Sequence, residues 1–337
     1  MTNWEYWPFH ALYFPVFFQW AFYALRQKSL FFFNACNPAI KNGGFFMESK
    51  KQIYDLLPEN CYPITVLVPQ KTSLAAVEKK FNDNEFRFPL IAKPDVGLRG
   101  SAVKKLETVQ DLQNYWHKAD FDFVVQNLIP FPNEMGIFYV RYPDQKMGKI
   151  TGIVSKEFLV VTGNGHDTIE QLLKQNPRFE LQLATLKKEY GVKLQQVLDK
   201  DVKLNLVPFG NHARGAKFLD DSHLISQKMT DVMNNICLEI EGFYFGRLDI
   251  MYQSIADFEN GKNFSIVELN GAGSEPTHIY DPKHSLFFAW QELSRHLRMM
   301  YEISTINHKS GHPYLSKKIG MQQYRLHLLQ SKKIISF

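Results

Sequence analysis

Two short strings late in the chain, "GRLDIM" (246–251) and "IVELN" (266–270), each set two polar side chains two apart in a strand-forming run. In an extended strand positions i and i+2 share a face, so Arg247 and Asp249 point one way, and Glu268 and Asn270 likewise. If the strands pair through the polar, glycine-bearing segment 253–263, one patch presents two carboxylates, an amide oxygen and a guanidinium. Magnesium takes hard oxygen donors of this kind and completes its octahedral shell with water and substrate phosphates. Asp249, Glu268 and Asn270 are therefore the candidate metal ligands. Arg247 beside them would neutralise a phosphoryl group during transfer. The same four residues also fit a salt bridge between Arg247 and one carboxylate, satisfied without any ligand.

Two upstream strings supply what a nucleotide needs. In "IAKPDVGLRGSAV" (91–103) Lys93 ends an apolar strand and a flexible turn follows. A lysine there reaches α- and β-phosphates, while backbone N–H groups from Gly97 through Gly100 and Ser101 cover them. Alone, a lysine before a turn reads equally as a solvated strand edge. In "VVQNLIPFPNE" (124–134) a buried strand runs into an irregular connection. Backbone groups of Gln126, Asn127, Leu128 and Ile129 could pair with an adenine edge, and Glu134 could accept from ribose hydroxyls. Its other reading is a loop acid in solvent.

The elements that must position these groups alternate between helix and strand. "SKKQIYDLLP" reads as a short helix capped by Ser49 and ended before Pro58. Strand-like "YPITVLVP" follows, then a helix near 73–82, a hairpin closed around Gly97 and Gly100, a helix in "VQDLQNYWHKA" and a strand in "FDFVVQNLIPF". Antiparallel strands are expected from Gly136 to Val161, and 167–200 is mostly helical by period. Residues 222–241 form an amphipathic helix with Ile225, Met229, Val232, Met233 and Ile236 on one stripe. A last helical region covers 283–300, and the basic tail after 303 carries no chemical signal. Many hairpins among the helices favour an α+β architecture over a doubly wound parallel sheet.

With 337 residues the chain buries a large core and divides into two or three lobes. A net charge of +5 suits anionic ligands such as nucleotide phosphates, or an anionic membrane face. No basic block is long enough to argue for nucleic acid. Cys36, Cys61 and Cys237 are scattered without metal-like spacing, so a reducing compartment is the simpler reading. The N-terminus departs furthest from average: from Tyr6 to Leu25 no residue is formally charged, a length close to the ~20 that span a bilayer. Pro8, His10, Pro15 and Gln19 interrupt it, and no small-residue cleavage site follows. Three readings stand: an aromatic helix packed on the protein's own core, an in-plane anchor of residues 1–30 on an anionic membrane, or a true span. Arg26 and Lys28 would keep the rest of a spanning chain on the cytoplasmic side.

Taken in order, "ESKKQIYDLLP", "AKPDVGLRGSA", "VQNLIPFPNE", "VTGNGHDTIEQL", "NHARGAKF", "GRLDI" and "IVELN" resemble the ATP-grasp superfamily. The resemblance covers roughly residues 45–300 and is nearest to its carboxylate–amine ligases: D-alanine–D-alanine ligase, cyanophycin synthetase and the glutathione-synthetase-like enzymes. It implies two α+β lobes clasping ATP, preceded here by the aromatic helical segment. The lobes would be 46–125, carrying the phosphate loop, and 126–303, carrying the metal site, flanked by segments 1–45 and 304–337. Carried over by position, Lys50 and Lys93 contact ATP phosphates and the 97–101 loop closes over them. Gln126 to Ile129 form the adenine hinge, with Glu134 near ribose. Asp249, Glu268 and Asn270 bind two magnesium ions, replaceable by manganese, and Arg247 stabilises the transferred phosphoryl group. Asn211 and Arg214 match a segment lying near the phosphates or acyl substrate in relatives, while His212 reads as a surface histidine.

The implied reaction activates a carboxylate as an acylphosphate, from which an amine displaces phosphate to form an amide. Three departures from the family's pattern bear on its substrates. Gln126 stands where many relatives have an acid. "GAGSEPTHIYDP" after Asn270 lacks the Pro-Gly turn of D-alanine–D-alanine ligases, and the chain before Lys50 is too short for the usual βαβ substrate domain. Dipeptide synthesis for cell walls is therefore not expected. Two other readings remain open: a small-molecule kinase on the same fold, and a non-catalytic nucleotide-binding scaffold docked at a membrane. The expected location is cytoplasmic, or peripheral on the inner face of the cytoplasmic membrane.

Overall fold

The computed structural model of the chain describes residues 4–84, 86–97, 100–157, 159–180, 182–206 and 217–337. The chain divides into two units, Met1–Val154 with Asp220–Phe337, and Ser155–Leu219.

The first unit holds two antiparallel sheets. Strands β1 (Thr65–Val68), β2 (Leu90–Pro94), β3 (Lys104–Leu106) and β4 (Phe123–Asn127) form a four-stranded sheet in the order β1-β4-β2-β3. β2 and β3 make the expected hairpin, with Leu90 opposite Leu106. Helices Leu74–Asp83 and Val109–Lys118 bury Val77, Phe81, Leu112 and Tyr115 against Leu90, Ala92, Phe123 and Val125 of the sheet. A reciprocal capping box between Thr108 and Asp111 starts the second of them.

The other sheet begins with β5 (Asn133–Val140) and β6 (Lys149–Glu157). In the second unit follow β7 (Val160–Thr162), β8 (Lys203–Asn205) and β9 (Lys217–Asp220), and the first unit resumes with β10 (Phe245–Tyr252) and β11 (Phe264–Asn270). The strand order is β11-β10-β5-β6, and the distal end of β6 runs on to meet β9. Alternation along the strands sorts the two faces. Ile137, Tyr139, Leu248 and Ile250 pack under helix Gln227–Glu239 through Met229, Met233, Ile236 and Cys237. Phe138, Val140 and Phe245 point the other way, into a core shared with the aromatic N-terminal segment and the long helix Leu286–Lys309.

The N-terminal segment is helical over Phe9–Leu12 and Phe14–Gln27. Gln19 donates to the Ser294 carbonyl at 3.1 Å, Trp290 to the Leu12 carbonyl at 2.9 Å, and Tyr23 stacks on Tyr301 at 4.0 Å. One face is thus part of the core. The other is bare: Phe14 is 61% exposed, Phe18 65%, Phe22 53% and Leu25 79%. A 14-residue helix is about 21 Å long against a ~30 Å hydrocarbon layer. Among the described residues no helix is long and apolar enough to cross a membrane, which removes the spanning reading for this segment.

Several elements differ from the sequence expectation. The periodic stretch 167–200 is broken into Ile169–Lys174, Pro177–Glu180 and Leu183–Tyr190, restarting at Pro177, where proline suits a helix's first turn. These pack Ile169, Leu173 and Leu186 on Val161 of β7 inside the second unit. The connection 253–263 holds a short helix, Ile255–Glu259, capped by Ser254. The last helical region runs on to Lys309, and the basic tail folds as Lys317–Ile335. That final helix is anchored at both ends, by Gly320 against the Phe31 ring and by Ile334 in the core of the four-stranded sheet. Cys36, Cys61 and Cys237 are all free thiols.

Candidate nucleotide and metal site

β10 and β11 pair with Arg247 opposite Asn270 and Asp249 opposite Glu268. Directly opposed residues of an antiparallel pair share a face, so the four side chains form one patch two residues wide and two strands across. The register then slips, with Ile250 opposite Ile266, leaving Val267 as the extra residue of a bulge. The adjacent strand contributes Gly136, opposite Asp249. A Cβ there would lie 2.9 Å from Asp249 Oδ1 and 3.1 Å from Arg247 Cδ. The missing side chain is what lets the acid and the guanidinium lie over β5.

The salt-bridge arrangement open at the sequence level is present. Arg247 grips Asp249 with both prongs, Nε to Oδ1 at 2.9 Å and Nη2 to Oδ2 at 3.1 Å, and Nη1 donates to the Glu275 carbonyl at 3.2 Å. Burial works against the Arg247 charge, but Asp249 and then Glu268 and Glu275 prevail and raise its pKa. Glu268 pairs with Lys50 Nζ at 3.3 Å. Burial pushes the Glu268 carboxyl up, yet the cations Lys50, Lys93 and Arg247 together hold it below the usual range.

Lys50 opens helix Lys50–Tyr54, whose Ser49 cap accepts from the Gln52 N–H at 3.1 Å. The Lys50 N–H donates to the Asp95 carbonyl at 3.0 Å and the Lys51 N–H to Asp95 Oδ1 at 2.9 Å. These bonds tie the helix to the turn after β2 and bring Lys50 Nζ beside Gly97, 3.6 Å from where its Cβ would be. Lys93, only 5% exposed, reaches from β2 to the bulge, donating to the Val267 carbonyl at 3.1 Å and to the Tyr54 hydroxyl at 2.9 Å. Tyr54 in turn donates to the Val267 carbonyl, with Gln126 Oε1 3.2 Å away. Burial lowers the Lys93 pKa to about 7, reinforced by Lys50 and opposed by Glu268 and Asp249. The carbonyl freed by the bulge is therefore the point where the two sheets meet.

The structure gathers Lys50, Lys93, Gly97, Gln126, Arg247, Asp249, Glu268 and Asn270 around this point. Glu134, the second residue of β5, lies opposite Met251, at the same strand parity as Gly136 and half-buried. The Asn127 N–H pairs with the Ile64 carbonyl at 3.1 Å, and its Oδ1 is buried without a hydrogen-bond partner. Leu128 is 40% exposed whereas Ile129 is buried. Gly100 turns with φ +73° into open space, with the half-buried Ser101 after it. Leu98 and Arg99, and with them part of the phosphate loop, lie outside the described residues, as do Asn211, His212 and Arg214.

Three contributors were not anticipated. Tyr54 lies four residues after Lys50, hence on the same helical face. Gly136 had no motif to announce it. Glu48, two before Lys50, has a buried, unpartnered Oε2, and burial raises its pKa, with Glu268 adding to the shift.

The donors present suit a hard cation. Among the described residues no group of three His, Cys, Asp or Glu converges as a metal site, because the third oxygen here belongs to an amide. Asn270 Nδ2 is buried without a partner. Asn270 shares the strand face of Glu268, so its amide oxygen is the third donor of the patch. Together with Asp249 and Glu268 this makes the three-oxygen set, in front of three basic side chains that fit bridging phosphates.

No family model matches the chain. The glutathione biosynthesis bifunctional protein GshAB of Streptococcus mutans is 23% identical over 265 residues, covering 69% of this chain and 33% of that protein. The chain thus spans about a third of the length of this curated relative. Among solved structures, a bifunctional glutathione synthetase from Pasteurella multocida aligns at TM-score 0.40 and 15% identity, over 75% of this chain and 35% of that one. The VanG D-Ala:D-Ser ligase of Enterococcus faecalis aligns at 0.43 and 14%, over 75% and 61%. The D-alanine–D-alanine ligase of Bacillus anthracis aligns at 0.43 and 12%, over 78% and 69%. The chain's own fold is α+β, with two antiparallel sheets meeting at one bulged strand, and these ligases are what it is similar to.

Proposed function

We propose that the chain is an ATP- and magnesium-dependent ligase that joins a carboxylate to an amine through an acylphosphate. The observation that carries this reading is the convergence of Lys50, Lys93 and Arg247 on the patch formed by Asp249, Glu268 and Asn270. Magnesium held by those three oxygens would draw charge from the triphosphate and orient its terminal group. Lys50 leaves Glu268 and turns to phosphate, and Lys93, already stripped of water, does the same from the floor of the site. Arg247 keeps its Asp249 anchor on two nitrogens and offers positive charge beside the transferred group. The chemistry asks for positioning and charge neutralisation, and this set of residues supplies both.

The atoms balance without a covalent enzyme intermediate. A substrate carboxylate oxygen attacks the γ-phosphorus and ADP leaves with the bridging electron pair. The alkylammonium first gives one proton to solvent, the freed amine nitrogen attacks the acyl carbon, the C–O bond to phosphate breaks, and the second proton passes to the released phosphate. The bare aromatic face of helix Phe14–Gln27, with Arg26 in its last turn and Lys28 just after it, supports in-plane contact with an anionic membrane on the cytoplasmic side.

The test supplies ATP, magnesium and a panel of carboxylates and amines, and identifies products. An amide with stoichiometric ADP and free phosphate supports the ligase. A phosphorylated small molecule with no amide would show a kinase instead. ATP binding without turnover across the panel would show a scaffold.

A further inference from the structure

We propose that Glu275, held by Tyr13 of the N-terminal segment, receives the ammonium group of the amine acceptor. This rests on the ligase reading and adds to it the side on which the acceptor arrives. The loop after Asn270 is stitched to the N-terminal segment: Ala272 N–H donates to the Gly43 carbonyl and Gly273 N–H to the Gly44 carbonyl, each at 2.9 Å. The backbones touch so closely that a Cβ on Gly44 would lie 2.7 Å from Gly271 Cα. The loop is therefore set by residues before Lys50.

That fixed loop presents Glu275. Its main-chain oxygen accepts from Arg247 Nη1 at 3.2 Å, while its carboxylate Oε1 accepts from Tyr13 at 2.5 Å and from Tyr280 at 3.4 Å. The side chain is half-buried, so part of it meets solvent. Arg247 faces Asp249 with two nitrogens and Glu275 with the third, so Glu275 lies beside the transferred phosphoryl group, on the far side of Arg247 from the metal ligands. The main-chain bond braces Arg247, to whose charge the carboxylate contributes only after Asp249 and Glu268. A negative charge here repels an anionic donor and attracts a cation. An alkylammonium held there gives up one proton to solvent and, as the free amine, stands beside the acylphosphate that its nitrogen attacks, while the two tyrosine hydroxyls keep the carboxylate from swinging onto Arg247.

Hydroxylamine tests this, because it is largely uncharged at neutral pH and traps acylphosphates without needing an ammonium site. The full chain, Glu275→Gln and Tyr13→Phe are compared with ATP, magnesium and a carboxylate panel. Hydroxamate formation is read in one arm, and amide formation with ammonium chloride or primary amines in the other. Glu275→Gln should raise the KM for amine tenfold or more, a larger factor than any change in its Mg-ATP affinity or hydroxamate rate. Tyr13→Phe should show the same pattern at smaller size. An unchanged amine KM in Glu275→Gln, with hydroxamate still formed, overturns this inference alone. No hydroxamate from the parent with any carboxylate overturns the ligase reading and this inference together.

Discussion

Replacing Lys93 by Met should make the ligand-free protein more stable at neutral pH, and the gain should disappear in base. In the folded chain burial brings Lys93 to about 7, whereas an unfolded lysine titrates near ~10.4. Between those values the unfolded state binds a proton that the folded state lacks. The parent's stability therefore rises with pH across this window, by up to ~1.4 kcal/mol per unit, and levels off above it. Near pH 7.5 the charged side chain costs the fold on the order of 3–4 kcal/mol on that slope. Losing the bonds to Val267 and Tyr54 costs roughly 1 kcal/mol each. Lys93→Met should then lead the parent by about 1–2 kcal/mol at pH 7.5 and trail it by pH 10. Urea unfolding of both proteins in EDTA, without nucleotide, at half-unit steps gives the difference directly, because groups common to both cancel. A difference that stays flat, or that moves in the variant's favour as pH rises, refutes the burial argument. The same physics predicts that phosphate recharges Lys93, so Mg-ATP affinity of the parent falls up to tenfold per unit above about pH 7.

Gly136→Ala adds a Cβ 2.9 Å from both Asp249 Oδ1 and Val154 Cγ1, so it should lower stability by ~1–3 kcal/mol and weaken magnesium-dependent nucleotide binding, both read by thermal shift with and without Mg-ATP. Retained binding at parental stability would mean that the patch tolerates displacement. Exchanging Phe14, Phe18 and Phe22 together for Ser touches side chains 61%, 65% and 53% exposed, so the melting temperature should hardly move while sedimentation with anionic vesicles falls at least several-fold. Equal sedimentation of parent and variant would leave that face without a membrane role.

The four-residue patch was legible because side-chain parity along a strand is local: Arg247 with Asp249, and Glu268 with Asn270, follow from counting by two. The register that sets Asp249 opposite Glu268 depends on how the chain returns through residues 253–263, where a helix lies that the polar sequence does not announce. The bulge at Val267 was hidden for a similar reason. Ile266, Val267 and Leu269 are all apolar, so no alternation marks which one falls out of step. Tyr54 sits in a helix of 5 residues, too short to display a period. In the N-terminal segment aromatic residues occupy both faces of the helix, so composition alone left open packing or membrane contact. The structure shows Tyr23 on the core and Phe18 in solvent. The helix Lys317–Ile335 has few buried residues, Gly320 and Ile334 among them, which is why its sequence reads as a basic tail.

The most direct measurement is calorimetric titration of ATP into the full chain with magnesium and with EDTA, alongside a variant carrying Asp249→Ala and Glu268→Ala. The parent should bind ATP tightly only with magnesium, and the variant, confirmed folded by circular dichroism, should bind equally weakly in both buffers. Magnesium-dependent binding by the variant at the parent's affinity would show that the ion and the nucleotide are held somewhere other than the paired strands β10 and β11.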